Sequence, residues 1–264
     1  QGAFEAAYGT PGANQGKNSV FAFLSTWPFG PGALEFNAWL QYGGGVELGK
    51  EFYGRDNIEY FYCGMIPPET SGWFRNKITS LDELKGLKMR FFGIGAKVMQ
   101  KFGVATQQLA GGDIYPALEL GTIDATEFSM PAIDRTLGFY QIAKYNYFPG
   151  WHQQSTTNEF LVNRDKWNEL DDQKKAIFEM ACTANIGVEL AEGEALQSAA
   201  MIANEKDGVE NVDWSPEILD QLRGAWGEVL QEELAANPDV KRLWDSYTAF
   251  HEEYKIWGER GYLK

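Results

Sequence analysis

The side chain best placed for chemistry is Arg90, within Leu87-Lys-Met-Arg90-Phe-Phe-Gly93-Ile-Gly95. Leu87 to Phe92 is a compact apolar run broken by two cations, the pattern of a buried strand. A guanidinium near the carboxyl end of such a strand needs an anionic partner, because burying it unpaired is prohibitively costly. Ligands of open α/β sheets sit at that same end. Two readings therefore stand. One is a structural ion pair with one of the chain's many acids. The other is a planar fork that grips a ligand carboxylate through two parallel hydrogen bonds.

Other chemistries find little to work with. The only histidines are His152 and His251, and neither joins a cysteine, serine or acid in a nucleophile-and-base pattern. His251, beside Glu252 and Glu253, reads as a solvated or packing residue. Gly93-Ile-Gly95-Ala-Lys-Val98 fails as a dinucleotide fingerprint, since Val98 would hold a helix off the sheet. No Gly-x4-Gly-Lys-Ser/Thr phosphate-binding loop, Gly-x-Ser-x-Gly elbow or His-Glu-x-x-His motif is present. Cys63 and Cys182 lie too far apart for a Cys-x-x-Cys site and read as two buried free thiols. They would form a disulfide only if the fold brought them together.

Composition narrows the partners. A net charge of −14 repels nucleic acid and anionic lipid. It leaves room for an anionic ligand wherever a local cation receives it, and Arg90 is such a cation. No apolar run approaches the ~20 residues of a membrane span. The 264 residues make one large domain or two small ones.

Around Arg90 the elements alternate. Ser80-Leu-Asp-Glu83 reads as a capping box for a short helix that Gly86 ends. A helix over Ala96–Phe102 closes at Gly103, and Val104–Leu109 reads as a strand. Ile114–Leu120 has helical spacing, and Ile123–Phe128 returns to a strand. Helix and strand in turn, with short Gly-marked joints, are the signature of a parallel, doubly wound sheet.

The stretch from Gly86 to Asn163 resembles the solute receptors of tripartite ATP-independent periplasmic (TRAP) transporters, DctP type, closest to the subgroup that binds 2-oxo and 2-hydroxy acids. The matching blocks are Gly86-Leu-Lys-Met-Arg90, Gly111-Gly-Asp-Ile-Tyr-Pro-Ala-Leu-Glu119, Gly121-Thr-Ile-Asp-Ala-Thr-Glu-Phe128, Leu137-Gly-Phe-Tyr140 and Tyr147-Phe-Pro-Gly-Trp151. The likeness extends more loosely over Pro67–Arg75 and the C-terminal helices. It implies an α/β fold of the two-lobe periplasmic binding protein type, with hinge strands and long C-terminal helices. Residues 61–163 would form the second lobe, which carries Arg90, and 1–60 with 164–264 the first. Gly2-Ala-Phe-Glu-Ala-Ala7 echoes Gly121-Thr-Ile-Asp-Ala-Thr126. With the resemblance, that echo implies a first lobe lacking its N-terminal segment.

The resemblance also implies a site. Arg90 would hold the carboxylate of a small organic acid such as pyruvate or lactate, and Tyr8 would offer an aromatic contact. A sodium or calcium ion would be held by the Glu127 side chain, the Phe128 backbone carbonyl and Gln153. Two departures stand out: Phe128 replaces a frequent tryptophan, and Trp151-His-Gln-Gln154 replaces a more usual aromatic, acid and glycines. The second removes one negative charge. For Glu127 a salt bridge to Arg90, and for Tyr8 a plain surface position, remain open readings. The partners implied are the membrane subunits of a TRAP transporter in the periplasm, with no catalysis. Alternatives are a receptor for another carboxylate or sulfonate, and a lyase or aldolase using Glu127 as base and Arg90 as clamp.

In the flanks, Ser19–Leu24 reads as extended. Ala33–Tyr53 reads as helical with a break at Gly43-Gly-Gly45. Asp171–Lys206 is strongly helical, Ser215-Pro216 starts another helix, and Asn237-Pro238 breaks it. The apolar stripe from Trp226 to Tyr254 reads as core. The resemblance adds a second use for it, a homodimer contact through the C-terminal helices.

Overall fold

In the computed structural model, which describes residues 4–263, strand β1 (Ala6–Gly9) precedes helices α1 (Val20–Ser25), α2 (Ala33–Tyr42) and α3 (Gly45–Gly54). Strands β2 (Ile58–Ile66) and β3 (Gly72–Phe74) follow. Then come β4 (Lys88–Arg90), α4 (Gly95–Lys101), β5 (Ala105–Gln107), α5 (Gly111–Glu119) and β6 (Ala125–Thr126). After α6 (Pro131–Thr136) the chain forms β7 (Tyr145–Phe148) and β8 (Thr156–Asn163). The remainder is α7 (Arg164–Asn168), α8 (Asp172–Lys206), β9 (Glu210–Asp213), α9 (Pro216–Ala236) and α10 (Pro238–Gly258).

Two sheets result. In a three-stranded antiparallel sheet β8 lies between β1 and β2. A six-stranded sheet runs β5-β4-β6-β3-β7-β9. Here β4 pairs in parallel with β5 and β6, as the alternation of strand and helix requires. Strand β3 is antiparallel to both its neighbours. At the far edge β9 runs parallel to β7, so residues 210–213 join the sheet of Arg90 rather than the lobe expected for 164–264.

Three local expectations are corrected. Ser19–Leu24 is not extended: Val20–Ser25 is helix α1, capped at Val20 N by Asn18 Oδ1 at 3.0 Å. Val20 to Leu24 are all buried, and a run that is apolar on every side has no periodicity to separate helix from strand. The expected capping box does not form, since Ser80 at the N-cap makes no side-chain cap bond. Thr79, not Ser80, pairs with Glu83, through Oγ1 at 2.6 Å and N at 3.2 Å, ahead of a 3-10 turn over Leu81–Leu84. The cysteines are not free thiols. Cys63 of β2 and Cys182 of α8 are bonded, with Cα atoms 4.2 Å apart. Pairing them required α8 to fold back on β2 across 119 residues, which no spacing reveals.

The aromatic stripe of α9 and α10 is core. Trp244 meets Trp27 at 5.6 Å between ring centroids, Tyr247 meets Trp39 at 5.7 Å, and Trp226 meets Phe23 at 6.0 Å. These rings fill the first lobe, so the stripe's first use is as core. Apolar residues that face outwards include Ile177, Met180, Val188 and Ile202 of α8 and, beyond the stripe, Ile256 and Trp257 at the end of α10, each about half exposed or more.

One acid in this lobe is buried under β8. Glu159 accepts from Tyr53 Oη at 2.7 Å and Asn14 Nδ2 at 3.3 Å, while its second oxygen has no partner. Burial pushes its carboxyl up from 4.5 to about 8, against those two hydrogen bonds. Native protein therefore keeps this proton over a pH range where the unfolded chain has released it, so stability falls as pH rises from about 4.5 to about 8. Glu159→Gln removes that fall. Melting curves should show the mutant gaining on wild type by on the order of 2–4 kcal/mol between pH 5 and pH 8.5. A difference that stays constant with pH would mean that Glu159 is ionised in the native state.

Candidate functional site

The site grows from the end of β4. Register places Arg90 opposite Gln107 of β5 and Thr126 of β6, and the ladder continues as Glu127 N–H donates to Arg90 O at 3.1 Å. With strands on both sides, the guanidinium leaves the sheet at its carboxyl end, 4% exposed. Nη1 donates to Glu127 Oε1 and to the Glu127 backbone carbonyl, both at 2.7 Å. Nε donates to Leu109 O at 3.3 Å. The rings of Phe128 and Phe92 lie 5.0 and 5.9 Å from the guanidinium carbon, in cation–π range. Among the described residues Nη2 has no hydrogen-bond partner, and Arg90 lines a cavity of about 250 Å³. Both readings of this arginine are thus present at once: an ion pair on one side and an open donor on the other.

Glu127 is fully buried and divided in the same way. Oε1 takes Arg90 and the Phe92 N–H, whereas Oε2 has no hydrogen-bond partner. Burial pushes this carboxyl up, but the Arg90 guanidinium and then His152 outweigh it and hold it below the ordinary range. Two more loops approach Oε2. Their closeness depends on Gly150, where a side-chain carbon would lie 2.2 Å from the Glu69 carbonyl oxygen. Glu69 N–H donates to Gln153 O and Thr70 N–H to Ser129 O, each at 3.2 Å, lacing the three loops together. Gln153 Nε2 donates to Glu69 Oε1 at 3.0 Å and to Thr156 Oγ1 at 2.7 Å.

The outcome is a knot of buried, unpartnered polar atoms: Glu127 Oε2, Glu69 Oε2, Gln153 Oε1 and both ring nitrogens of His152. His152 Nε2 stands 3.5 Å from Glu127 Oε2 and 3.9 Å from Glu69 Oε2. Ligand atoms of Glu69, Glu127 and His152 all lie within 4.8 Å of one another. Burial and then the charge of Glu127 push Glu69 well above the ordinary carboxylate range. Nearby, burial pushes Asp134 up to about 8 despite the bond it accepts from Trp73 Nε1 at 2.8 Å. Acids packed this closely need a proton or a cation between them. Hard oxygen donors of this kind suit sodium or calcium.

Of the residues expected from the sequence, Arg90, Glu127, Phe128 and Gln153 come together here. Tyr8 does not join them. It is half exposed on β1, its hydroxyl donates to Glu189, and its ring meets Phe160 at 6.1 Å. From that segment it is Thr10 that lines the cavity. The sequence reading missed Glu69 and His152. An acid among turn formers in Pro67-Pro-Glu69-Thr-Ser-Gly72 was the available signal for the first, and adjacency to Gln153 for the second.

The chain as a whole is similar to known solute-binding proteins. Residues 1–237 match the DctP family, described as bacterial extracellular solute-binding protein, family 7. A monocarboxylate 2-oxoacid-binding periplasmic protein of Nostoc sp. is 35% identical over 92% of this chain. The chain spans 66% of that relative's length. A TRAP transporter solute-binding protein from Bordetella bronchiseptica, solved as a dimer with calcium and picolinate, is 36% identical over 97% of this chain and 76% of its own, with a TM-score of 0.94. A TRAP periplasmic solute-binding protein from Pseudoalteromonas atlantica, with sodium and pyruvate, is 29% identical over 97% and 78%, with a TM-score of 0.92.

The Arg90–Glu127 pair makes a stability prediction of its own. Arg90→Ala strands a buried carboxylate and should cost about 3–5 kcal/mol in urea unfolding without ligand. Combining Arg90→Met with Glu127→Leu removes both charges and should recover most of that loss. A double mutant no more stable than Arg90→Ala would show that the charges do not compensate one another.

Proposed function

The chain belongs to the DctP family of bacterial extracellular solute-binding proteins, and from that premise we propose that it binds a small 2-oxo or 2-hydroxy carboxylate such as pyruvate or lactate. It would do so in the periplasm and hand the acid unchanged to the membrane subunits of a TRAP transporter. The family is one of solute receptors, so the lyase or aldolase alternative falls away. One observation carries the ligand assignment: an arginine nitrogen without a partner and a set of buried oxygens without partners lie side by side at one cavity. A carboxylate answers the first and a cation the second.

In this reading the ligand carboxylate meets Arg90 Nη2, because Nη1 and Nε are already engaged. It takes the two-nitrogen edge of the fork only by displacing Glu127. Sodium or calcium would be held by Glu127 Oε2 and Gln153 Oε1, with the Phe128 carbonyl and Glu69 completing the protein's share. Bound there, the ion would neutralise the acids and offer positive charge to the ligand's oxygens. Gln153 keeps Glu69 turned to the site, where Glu69, once it yields its proton to the bound ion, would supply the charge that an acid at position 153 would have provided. The relatives support the pairing of ion and acid: calcium with picolinate in one, sodium with pyruvate in another.

Assembly is the finer point. The Bordetella neighbour is a dimer. For this chain we place a homodimer contact on α8 instead of the buried stripe of α9 and α10. Ile177, Ala181, Ala184, Val188, Ala191 and Ala195 recur at alternating steps of four and three along an exposed face, the spacing of a coiled-coil seam.

Two measurements test this assignment. In chelator-treated protein, calorimetry should show pyruvate binding that strengthens when calcium or sodium returns. Arg90→Ala should weaken it by roughly two to four orders of magnitude, with Arg90→Lys in between. Glu127→Gln should abolish the cation dependence. Wild-type affinity indifferent to metal removal would overturn the cation assignment. Light scattering should find a dimer that Val188→Glu dissociates, and a wild-type monomer at micromolar concentration would refute the α8 contact.

A further inference from the structure

Among the described residues two that are not glycine take a positive φ, Phe29 and Asn57. Asparagine is a type that tolerates this region, and a bulky aromatic is not. Phe29 has a φ of +53° in a turn closed by Gly30 N–H, which donates to Trp27 O at 3.1 Å. Pro28 is the first central residue of that turn, and a positive φ at the second ordinarily calls for glycine. Such a conformation persists only where the surroundings over-determine it, and such places gather at functional sites.

The surroundings of Phe29 lead to the buried acids. Its N–H donates to Trp151 O at 2.7 Å, and its ring lies 5.8 Å from the Trp151 indole at an angle of 30°. Phe91, next to Arg90, lies 6.0 Å from the same indole at 34°. Arg223, exposed on α9, covers the Phe29 ring with its guanidinium carbon 4.1 Å from the centroid. Two residues beyond Phe29, Pro31 O accepts from Ser155 Oγ at 3.0 Å. Trp151 and Ser155 flank His152 and Gln153, so this short loop is bonded to the Trp27–Pro31 segment at both ends. His152 depends on that frame. Neither of its ring nitrogens has a hydrogen-bond partner, and the ring is set by Phe91 at 5.0 Å and Trp151 at 5.6 Å.

We infer that Phe29 is a positioning residue for the ion site. It does not line the Arg90 cavity. Through Trp151 it holds the loop so that His152 stays 3.5 Å from Glu127 Oε2 and Gln153 stays on Glu69. This rests on the reading that a cation sits between Glu127 and Gln153. It adds a residue, remote from the ion, whose strained backbone and stacked ring keep the ion's ligands in place.

Calcium titrated into chelator-treated protein holding pyruvate tests the inference, with pyruvate affinity in chelator and urea unfolding measured beside it. Phe29→Gly suits the turn and keeps the N–H, but loses the ring. An aromatic pair is worth about two- to tenfold in an equilibrium constant, so the calcium midpoint should rise by about that factor. Pyruvate affinity in chelator should not change, and Phe29→Tyr should restore the wild-type midpoint. Phe29→Leu keeps an apolar side chain without the stack and should behave as Phe29→Gly does; it decides the matter if urea unfolding shows the glycine variant unfolded. A wild-type calcium midpoint in the folded variants overturns this inference while leaving the cation reading intact. So does an equal loss of pyruvate affinity with and without calcium, which would mean a general loosening of the cleft. A wild-type protein that ignores calcium overturns both.

Discussion

A guanidinium and a carboxylate buried together at the end of two parallel strands set the terms for this molecule. Removing two charges from water costs several kcal/mol per ion, and only close pairing with further hydrogen bonds offsets it. Arg90 and Glu127 meet that condition on one side, at 2.7 Å, with the Glu127 carbonyl and the Phe92 N–H adding bonds. They fail it on the other. Nη2 faces a cavity and Oε2 faces two more polar side chains without bonding either. A pair that is half satisfied is stable enough to hold its shape and open enough to take a ligand.

The rest of the fold maintains that half-open state. Parallel pairing with β5 and β6 fixes where Arg90 emerges. Antiparallel β3 and β7 bring the loops at Glu69 and Gly150 beside Glu127, and Gly150 lets their backbones touch. Strand β8 then carries the chain from Thr156, which bonds Gln153, into the three-stranded sheet. The Cys63–Cys182 link and the packing of α8 over β2 tie that sheet to the long helix.

What the sequence made legible follows from how local each signal is. Arg90, Glu127 and the alternation that positions them sit within 40 residues of regular, Gly-punctuated chain, and short-range pattern is enough there. The helix break at Gly43–Gly45 was equally local: Gly44 takes a φ of +96°, which other residues avoid. Helix α1 was illegible because burial on all sides erases periodicity. The disulfide was illegible because it depends on a long helix folding back. Glu69 and His152 are a different case. Their roles come from loops meeting in space, and an acid or histidine in a loop carries no mark of its future neighbours. Tyr8 shows the converse, a residue of the right type near the right segment whose strand turns it towards Glu189.

A crystal structure of the protein with pyruvate and calcium tests the central claim most directly. The account predicts the ligand carboxylate on Arg90 Nη2 and the ion on Glu127 Oε2, with the Arg90–Glu127 contact retained or partly exchanged for the ligand. A carboxylate bound elsewhere, with Arg90 still sealed by Glu127 and no density between Glu127 and Gln153, would contradict it.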